Sequence, residues 1–420
     1  MTERTVLIIA YYFPPMGLSG VQRTLKFVKY LPEFGWKPIV LTTSPPDYYA
    51  FDESLEDDLS SEEIYIYRTN YSGDNKKPKT VKFPSYFKQR IGRYLMSFVY
   101  QPDRFIKWKK DAYILAQKIF SQHKVDVIFA TAPPFTDFIL AKELADKYNK
   151  PFLVDYRDVW IDNPFHAFPT PLHKHYCEKI EHEILTHTKK AIVVTRHSKE
   201  ALVKRYGFIS HNDISIIPHG YDPDDFAPYK NVKPDRQKFT ITHSGLFQDD
   251  RSPKYFLKAL SNFLSKYPEA KKHVSARFLG LMRKNHLKIV KKLGLSENVE
   301  IKGYLKHSEV IENLMQSDVL WFMQNDIVRS PGKLFEYFGA SKPILACIPD
   351  GVIRKIALDS KAAIATEPRD IPAIERAIES LYNLWKNKNL PEPRIEYIEQ
   401  FDRKQLTHEL SKELALASDL

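Results

Sequence analysis

The segment Ser330-Pro331-Gly332-Lys333-Leu334-Phe335-Glu336-Tyr337-Phe338 holds the residue types that can seat a phosphate beside a sugar. It follows an apolar run, Asp318 to Phe322, that reads as a strand, and it opens a helix read over about Lys333 to Phe338. A glycine at the mouth of a helix lets backbone N–H groups approach an anion that the helix dipole favours. Lys333 adds a cation there, and Glu336 comes one turn later, in reach of hydroxyls next to the phosphate. A diphosphate on the helix start and a ribose on the carboxylate fit this layout. An ordinary helix start with a first-turn acid and an exposed lysine accounts for the same letters.

A second glycine loop lies near the start. Pro14-Pro15-Met16-Gly17-Leu18-Ser19-Gly20-Val21-Gln22-Arg23 separates a strand, Val6 to Phe13, from a helix carrying Val21, Leu25, Val28 and Leu31. Gly20 could bring backbone N–H groups to a phosphate. The spacing is not that of a dinucleotide fingerprint, and a structural strand-to-helix turn explains the glycines equally well. Asp158 follows the C-terminal end of a strand, Phe152 to Asp155, where α/β sites form, whereas Asp155 reads as core punctuation. Asp222-Pro223-Asp224 matches a metal-binding DxD by letters, but a solvated turn is the better reading. His173, His175 and Cys177 fall on different faces of a helix, which argues against a shared metal.

Strands and helices alternate through the chain, which implies parallel sheets. Further strands read at Pro38–Thr43, Val125–Thr131, Ala191–Thr195, Asp213–Ile217, Phe239–His243, Ala276–Leu279, Val299–Lys302 and Pro343–Cys347. Two α/β blocks result, joined by a proline-rich junction from Pro218 to Asp235. We divide the chain into a first domain over 1–218, a second over 219–402, and a helix over 403–420 that returns to the first.

The 420 residues carry 63 Lys and Arg against 52 Asp and Glu, a net charge of +11, which suggests an anionic partner. No apolar run is long enough to span a bilayer, and the two cysteines cannot build a disulfide framework. The N-terminus has no signal-peptide layout, so a cytoplasmic protein is expected. From Lys76 to Lys110, eleven Lys or Arg stand against the single acid Asp103, with eight aromatics interleaved. Cations mixed with rings suit an anionic membrane surface, placing the protein peripherally at the inner membrane face. A solvated insertion is the plainer alternative. Nucleic acid is not expected, because no nucleic-acid-binding module accompanies the patch.

These motifs together resemble the family-4 retaining glycosyltransferases of the GT-B fold, over nearly the whole chain apart from the basic insertion. The N-terminal glycine loop is similar to Tyr12-Phe13-Pro14-Pro15 with Gly20-Val21-Gln22-Arg23, and the hinge motif to Ile217-Pro218-His219-Gly220-Tyr221-Asp222, where His219 replaces the usual Asn. Thr131-Ala132-Pro133-Pro134 and Val154-Asp155-Tyr156-Arg157-Asp158-Val159-Trp160 look like a subgroup that builds bacterial surface polysaccharides. Gly245-Leu246-Phe247 to Arg251 resembles the first donor-phosphate loop, and Gly332-Lys333-Leu334-Phe335-Glu336-Tyr337 the donor-nucleotide motif. Two departures stand out. Leu246 replaces an arginine, and Val328 occupies the first of two positions, eight apart, at which the family has glutamates; Glu336 is the second.

The resemblance implies two Rossmann-like domains, the first for an acceptor and the second for a nucleotide-sugar donor. It implies transfer with retention to a glycan or lipid-linked acceptor in polysaccharide biosynthesis. Donor contacts are expected from Gly20, Gly245, Arg251, Ser330, Gly332, Lys333, Leu334 and Glu336. Arg251 and Lys333 are to stabilise the departing diphosphate and Asp158 to orient the acceptor hydroxyl, with no metal or other cofactor. A nucleotide-sugar epimerase on the same fold, or a non-catalytic membrane-surface or nucleic-acid binder, is the alternative.

Overall fold

The computed structural model describes residues 4–17, 19–44, 50–69, 86–166, 168–247 and 251–419. The chain forms two compact units, one of Met1–His219 with Arg403–Leu420 and one of Gly220–Asp402.

Unit 1 is built on strands β1 (Arg4–Ile9), β2 (Trp36–Thr43), β3 (Tyr65–Thr69), β4 (Val127–Ala132), β5 (Phe152–Tyr156), β6 (Lys190–Val193) and β7 (Ile214–Ile216). They form one parallel sheet in the order β3-β2-β1-β4-β5-β6-β7. Its helices are α1 (Ser19–Tyr30), α2 (Tyr86–Val99), α3 (Trp108–Gln122), α4 (Thr136–Tyr148), α5 (Pro171–His187) and α6 (Arg196–Arg205). Alternation along β1 sends Leu7 and Ile9 to one core and Val6 and Ile8 to the other, so both faces are covered. Central strands buried on both faces read as unbroken apolar runs, which is why the sequence reveals them. The edge strand β3 is half-exposed and was not anticipated.

β1 ends at Ile9, four residues short of the run read to Phe13. Ala10 N–H still donates to Leu41 O on β2, but Tyr11 N–H turns to Asp137 Oδ2 at 2.9 Å. The chain therefore leaves the sheet between β1 and β4, where the strand order reverses.

Unit 2 repeats the design with β8 (Phe239–Ser244), β9 (Val274–Leu279), β10 (Val299–Gly303), β11 (Val319–Met323), β12 (Ile344–Cys347) and β13 (Ala363–Thr366). The order is β10-β9-β8-β11-β12-β13, again parallel. Its helices are α7 (Pro223–Phe226), α8 (Lys254–Lys266), α9 (Lys284–Lys292), α10 (His307–Met315), α11 (Gly332–Gly339), α12 (Val352–Asp359), α13 (Ile371–Lys386) and α14 (Ile395–Ile398). The last helix, α15 (Arg403–Ser418), packs in unit 1, where Leu406, Leu410, Leu414 and Ala417 join Phe27, Val28, Leu31 and Trp36.

The basic stretch is resolved differently from its composition. Residues 76–85 lie outside the described residues; beyond them the chain forms α2, a short 3-10 turn and α3. The single acid docks it: Asp103 accepts from Phe105 N–H, Thr136 N–H and Thr136 Oγ1, capping the start of α4. Trp108 is buried and donates its indole N–H to Thr69 Oγ1 at 2.8 Å, and Phe105 packs on Tyr11 and Tyr12. Phe105 and Trp108 are packing residues, not rings for a headgroup layer. Lys109 pairs with Glu143.

The opposite charges of Arg23 on α1 and Asp155 on β5 meet in the core of unit 1. Arg23 donates Nη2 to Oδ1 at 2.8 Å and Nε to Oδ2 at 3.0 Å, while Nη1 reaches Pro218 O. Thr131 Oγ1 on β4 donates to the same carboxylate. Both side chains are essentially sealed from water. Removing one partner of such a pair strands the other. Arg23→Ala is expected to destabilise unit 1 by about 3–5 kcal/mol, with Arg23→Met/Asp155→Leu recovering much of the loss. Urea denaturation followed by tryptophan fluorescence measures this; a loss in Arg23→Ala no larger than in the double variant would refute it.

Candidate functional site

In unit 2 the strand order reverses between β8 and β11, and the loops leaving their C-terminal ends carry the donor candidates. This is where open α/β sheets bind ligands. Gly245 ends the first strand with φ +119°, a conformation side-chain-bearing residues rarely adopt. A Cβ there would lie 1.4 Å from Lys333 Nζ. Gly280, after β9, has φ +130°, and a Cβ on it would meet Gly245 O at 2.6 Å. Gly245 thus clears the space in which the ammonium sits, and Gly280 leaves room for the Gly245 backbone. Gly280 was missed because its reason is a contact with a distant loop.

Lys333 is the second residue of α11, which begins at Gly332. Tyr337, one turn on, ties that helix to the end of β8. Its hydroxyl accepts Ser244 N–H at 2.8 Å and donates to Trp321 O at 3.3 Å. Lys333 makes no hydrogen bond or ion pair among the described residues. Burial, then the nearby Arg251 charge, pull its ammonium down to about 7, with Glu336 opposing them. His243 beneath it donates Nδ1–H to Trp321 O at 2.9 Å and stacks on Phe247. Burial and the same two cations push this imidazole down to about 3, so it is neutral.

Ser330 is buried just before α11, and its hydroxyl has no hydrogen-bond partner among the described residues. The Leu334 side chain is fully buried in the unit 2 core, so only its backbone N–H, in the first turn of α11, can face a ligand. Glu336 points to α10: its Oε1 lies 3.6 Å from His307 Nδ1. The loop carrying Val328 is organised by Asp326, which accepts Val328 and Arg329 N–H groups and pairs with the Arg329 guanidinium at 2.7 Å.

Unit 1 holds Gly20 and Asp158. Gly20 is the second residue of α1, and its carbonyl accepts from Arg157 Nη1. Arg157 also donates Nη2 to Pro133 O and Nε to Ala132 O, stitching the loops after β1 and β4 together. Asp158 follows β5, half-buried beside this guanidinium. Asp137, buried in the first turn of α4, receives Tyr11 N–H; burial pushes its acid well up. Neither Arg157 nor Asp137 was singled out as a site residue in the sequence.

The other candidates take structural roles. Asp222 caps α7, accepting Asp224 N–H at 3.1 Å. On α5, His173 bonds Thr170, His175 is exposed, and buried Cys177 donates to Gln101 Oε1, so the three do not converge.

Residues 19–225 match the model of Glycosyltransferase Family 4, and residues 225–400 match that of Glycosyl transferases group 1. The solved structures include a glycosyltransferase from Rickettsia africae, 17% identical over 99% of both chains with a TM-score of 0.68. Anabaena Alr3699/HepE in complex with UDP and glucose is 13% identical over 98% of this chain and 100% of that one, with a TM-score of 0.63. The UDP-GlcNAc 2-epimerase of Methanocaldococcus jannaschii is 11% identical over 98% and 99%, with a TM-score of 0.55. No curated protein sequence matches. The two adjoining family matches and the paired parallel sheets make this chain a glycosyltransferase of the GT-B fold.

Inorganic pyrophosphate probes the Gly245–Lys333 cradle directly. Its affinity, measured by titration calorimetry, is expected to fall from pH 7 to 9 as Lys333 loses its proton, by up to about tenfold per pH unit. Lys333→Arg, charged throughout, flattens that fall. Gly245→Ala removes binding, whereas Gly332→Ala, whose added Cβ meets nothing within 4 Å, leaves unit 2 folded. Unchanged affinity in Gly245→Ala would separate the cradle from anion binding.

Proposed function

We propose that the protein moves a sugar from a nucleotide-sugar donor to a glycan or lipid-linked acceptor, with retention at the anomeric carbon, in polysaccharide biosynthesis. The observation that carries this is the Lys333 ammonium, held over Gly245 in the first turn of α11 with no carboxylate bonded to it. In such a transfer the bond from the anomeric carbon to the diphosphate oxygen breaks. A bond to the acceptor oxygen forms on the same face of the sugar. The hydroxyl proton passes to the departing diphosphate. Charge grows on the diphosphate in the transition state, and preorganised cations stabilise it without reorganising.

Lys333, Arg251 and the N–H groups at Gly332 and Leu334 suit that task; Glu336 suits the ribose diol. Within unit 1, Gly20 at the start of α1 is assigned a phosphate contact and Asp158 the acceptor hydroxyl. Anabaena HepE, solved with UDP-glucose, is a GT-B neighbour that supports a nucleotide-sugar donor. The route needs no metal, so EDTA is expected to leave turnover intact.

Steady-state kinetics with a panel of nucleotide sugars tests the assignment. Lys333→Ala and Arg251→Ala should lower kcat by on the order of a hundredfold, more than they raise donor KM. Glu336→Gln should chiefly raise donor KM, because a ribose contact is equal in ground and transition states. Proton NMR of the anomeric signal reports retention. Release of an epimerised nucleotide sugar without acceptor would favour the epimerase reading.

We also propose an anionic membrane surface as a partner, through α2. Leu95 and Val99 are 59% and 71% exposed, and Phe98 touches His173 at the start of α5, next to Leu172, which is 79% exposed. Exposed Arg104, Lys107 and Lys110 follow in the chain. No helix among the described residues is long and apolar enough to cross a membrane. Binding to phosphatidylglycerol vesicles should exceed binding to phosphatidylcholine vesicles and weaken with salt, at about 1 kcal/mol per exposed cation. Leu95→Glu/Val99→Glu should reduce it. Equal binding to both vesicle types would sink the idea.

A further inference from the structure

We infer that His307 is a positioning residue for the donor, holding the Glu336 carboxylate toward α10 and away from the Lys333 ammonium. The inference rests on the donor reading proposed above. Lys333 and Glu336 stand three residues apart on α11, a spacing at which a lysine and a glutamate readily pair. They do not pair here. Glu336 Oε1 lies 3.6 Å from His307 Nδ1. The other ring nitrogen, Nε2, lies 3.2 Å from Asp225 Oδ2 on α7. A carboxylate therefore faces each nitrogen of one imidazole, with Asp225 within hydrogen-bond distance, and a ring protonated at both nitrogens attracts both carboxylates. All three side chains are largely shielded: those of His307, Asp225 and Glu336 are 17%, 18% and 22% exposed.

The effect on the site follows from charge. The charged groups facing Lys333 are Arg251, from the loop after β8, and Glu336, on its own helix; His243 on β8 is neutral, and Tyr337 is engaged with Ser244 and Trp321. A glutamate bonded to Lys333 would cancel the cation meant for the diphosphate. It would also take the carboxylate from the ribose. His307, anchored from behind by Asp225, competes for that carboxylate and keeps the two functions apart. His307 is neither in contact with Lys333 nor assigned a proton in the reaction.

The ligand-free protein gives the first test. With ¹⁵N-labelled lysine, NMR follows the Lys333 titration, assigned by its loss in Lys333→Arg. In His307→Ala, Glu336 loses this contact and can turn to Lys333, and the midpoint is expected to rise by about one pH unit, a tenfold change in the equilibrium. His307→Gln, which keeps an amide donor for Asp225 but no charge, should do the same if His307→Ala folds poorly. His307→Lys, which restores a cation, should bring the midpoint back. Adding Glu336→Gln to His307→Ala should cancel the rise, because the two act through one contact. In turnover, His307→Ala should raise donor KM roughly tenfold with a smaller change in kcat. It should also move the alkaline fall of kcat/KM for the donor to higher pH. An unmoved Lys333 midpoint in both His307→Ala and His307→Gln overturns the positioning role. A raised midpoint with unchanged donor KM keeps the electrostatic role and instead overturns the ribose assignment of Glu336.

Discussion

A cation with no carboxylate bonded to it is expensive to keep in a half-dry site, and unit 2 is arranged around doing so at Lys333. Burial and Arg251 both oppose the charge, which brings the ammonium to about 7. Gly245 clears the volume beside it, Gly280 lets the Gly245 backbone take that position, and Tyr337 fixes the helix that carries it to β8 and β11. A cradle of this kind favours a ligand that brings negative charge, and more so as that charge grows.

Unit 1 handles charge in the opposite way. Arg23 and Asp155 neutralise each other completely in the core and contribute alignment of α1, β4 and β5, not a binding surface. Arg157 spends its donors on the carbonyls of Gly20, Ala132 and Pro133, which sets the spacing of the loops at the strand-order reversal. What is left near the ends of the strands, Asp158 and the first turn of α1, is held by this stitching. The two units share a topology and differ in which ions they leave exposed to a ligand.

The legible part of the fold was the part in which local order and burial coincide. Central strands such as β1, β4 and β11 are largely apolar because helices cover both faces, and even β8, with its threonines and His243, is buried throughout. β3 and β13 sit at sheet edges, half-exposed, and their composition resembles a loop. The roles of the rings in the basic stretch were hidden for a related reason. Composition shows that rings and cations are interleaved but not which of them face inward. Asp103 docks the segment on α4, and that one contact turns Phe105 and Trp108 into packing residues.

The nucleotide-side motif was readable because it is short. Gly332, Lys333 and Glu336 lie within one helical turn or so, and the helix period alone puts Lys333 and Glu336 on one face. The same period, followed one step further, would have turned Leu334 inward, where it is found. The tertiary structure alone decided what restrains those residues. Gly245 and Gly280 arrive from other strands, and His307 and Asp225 from other helices. Distant side chains meet only after the sheet has set the order of its strands, so neither their contacts nor the charge they leave on Lys333 is written in any one stretch of sequence.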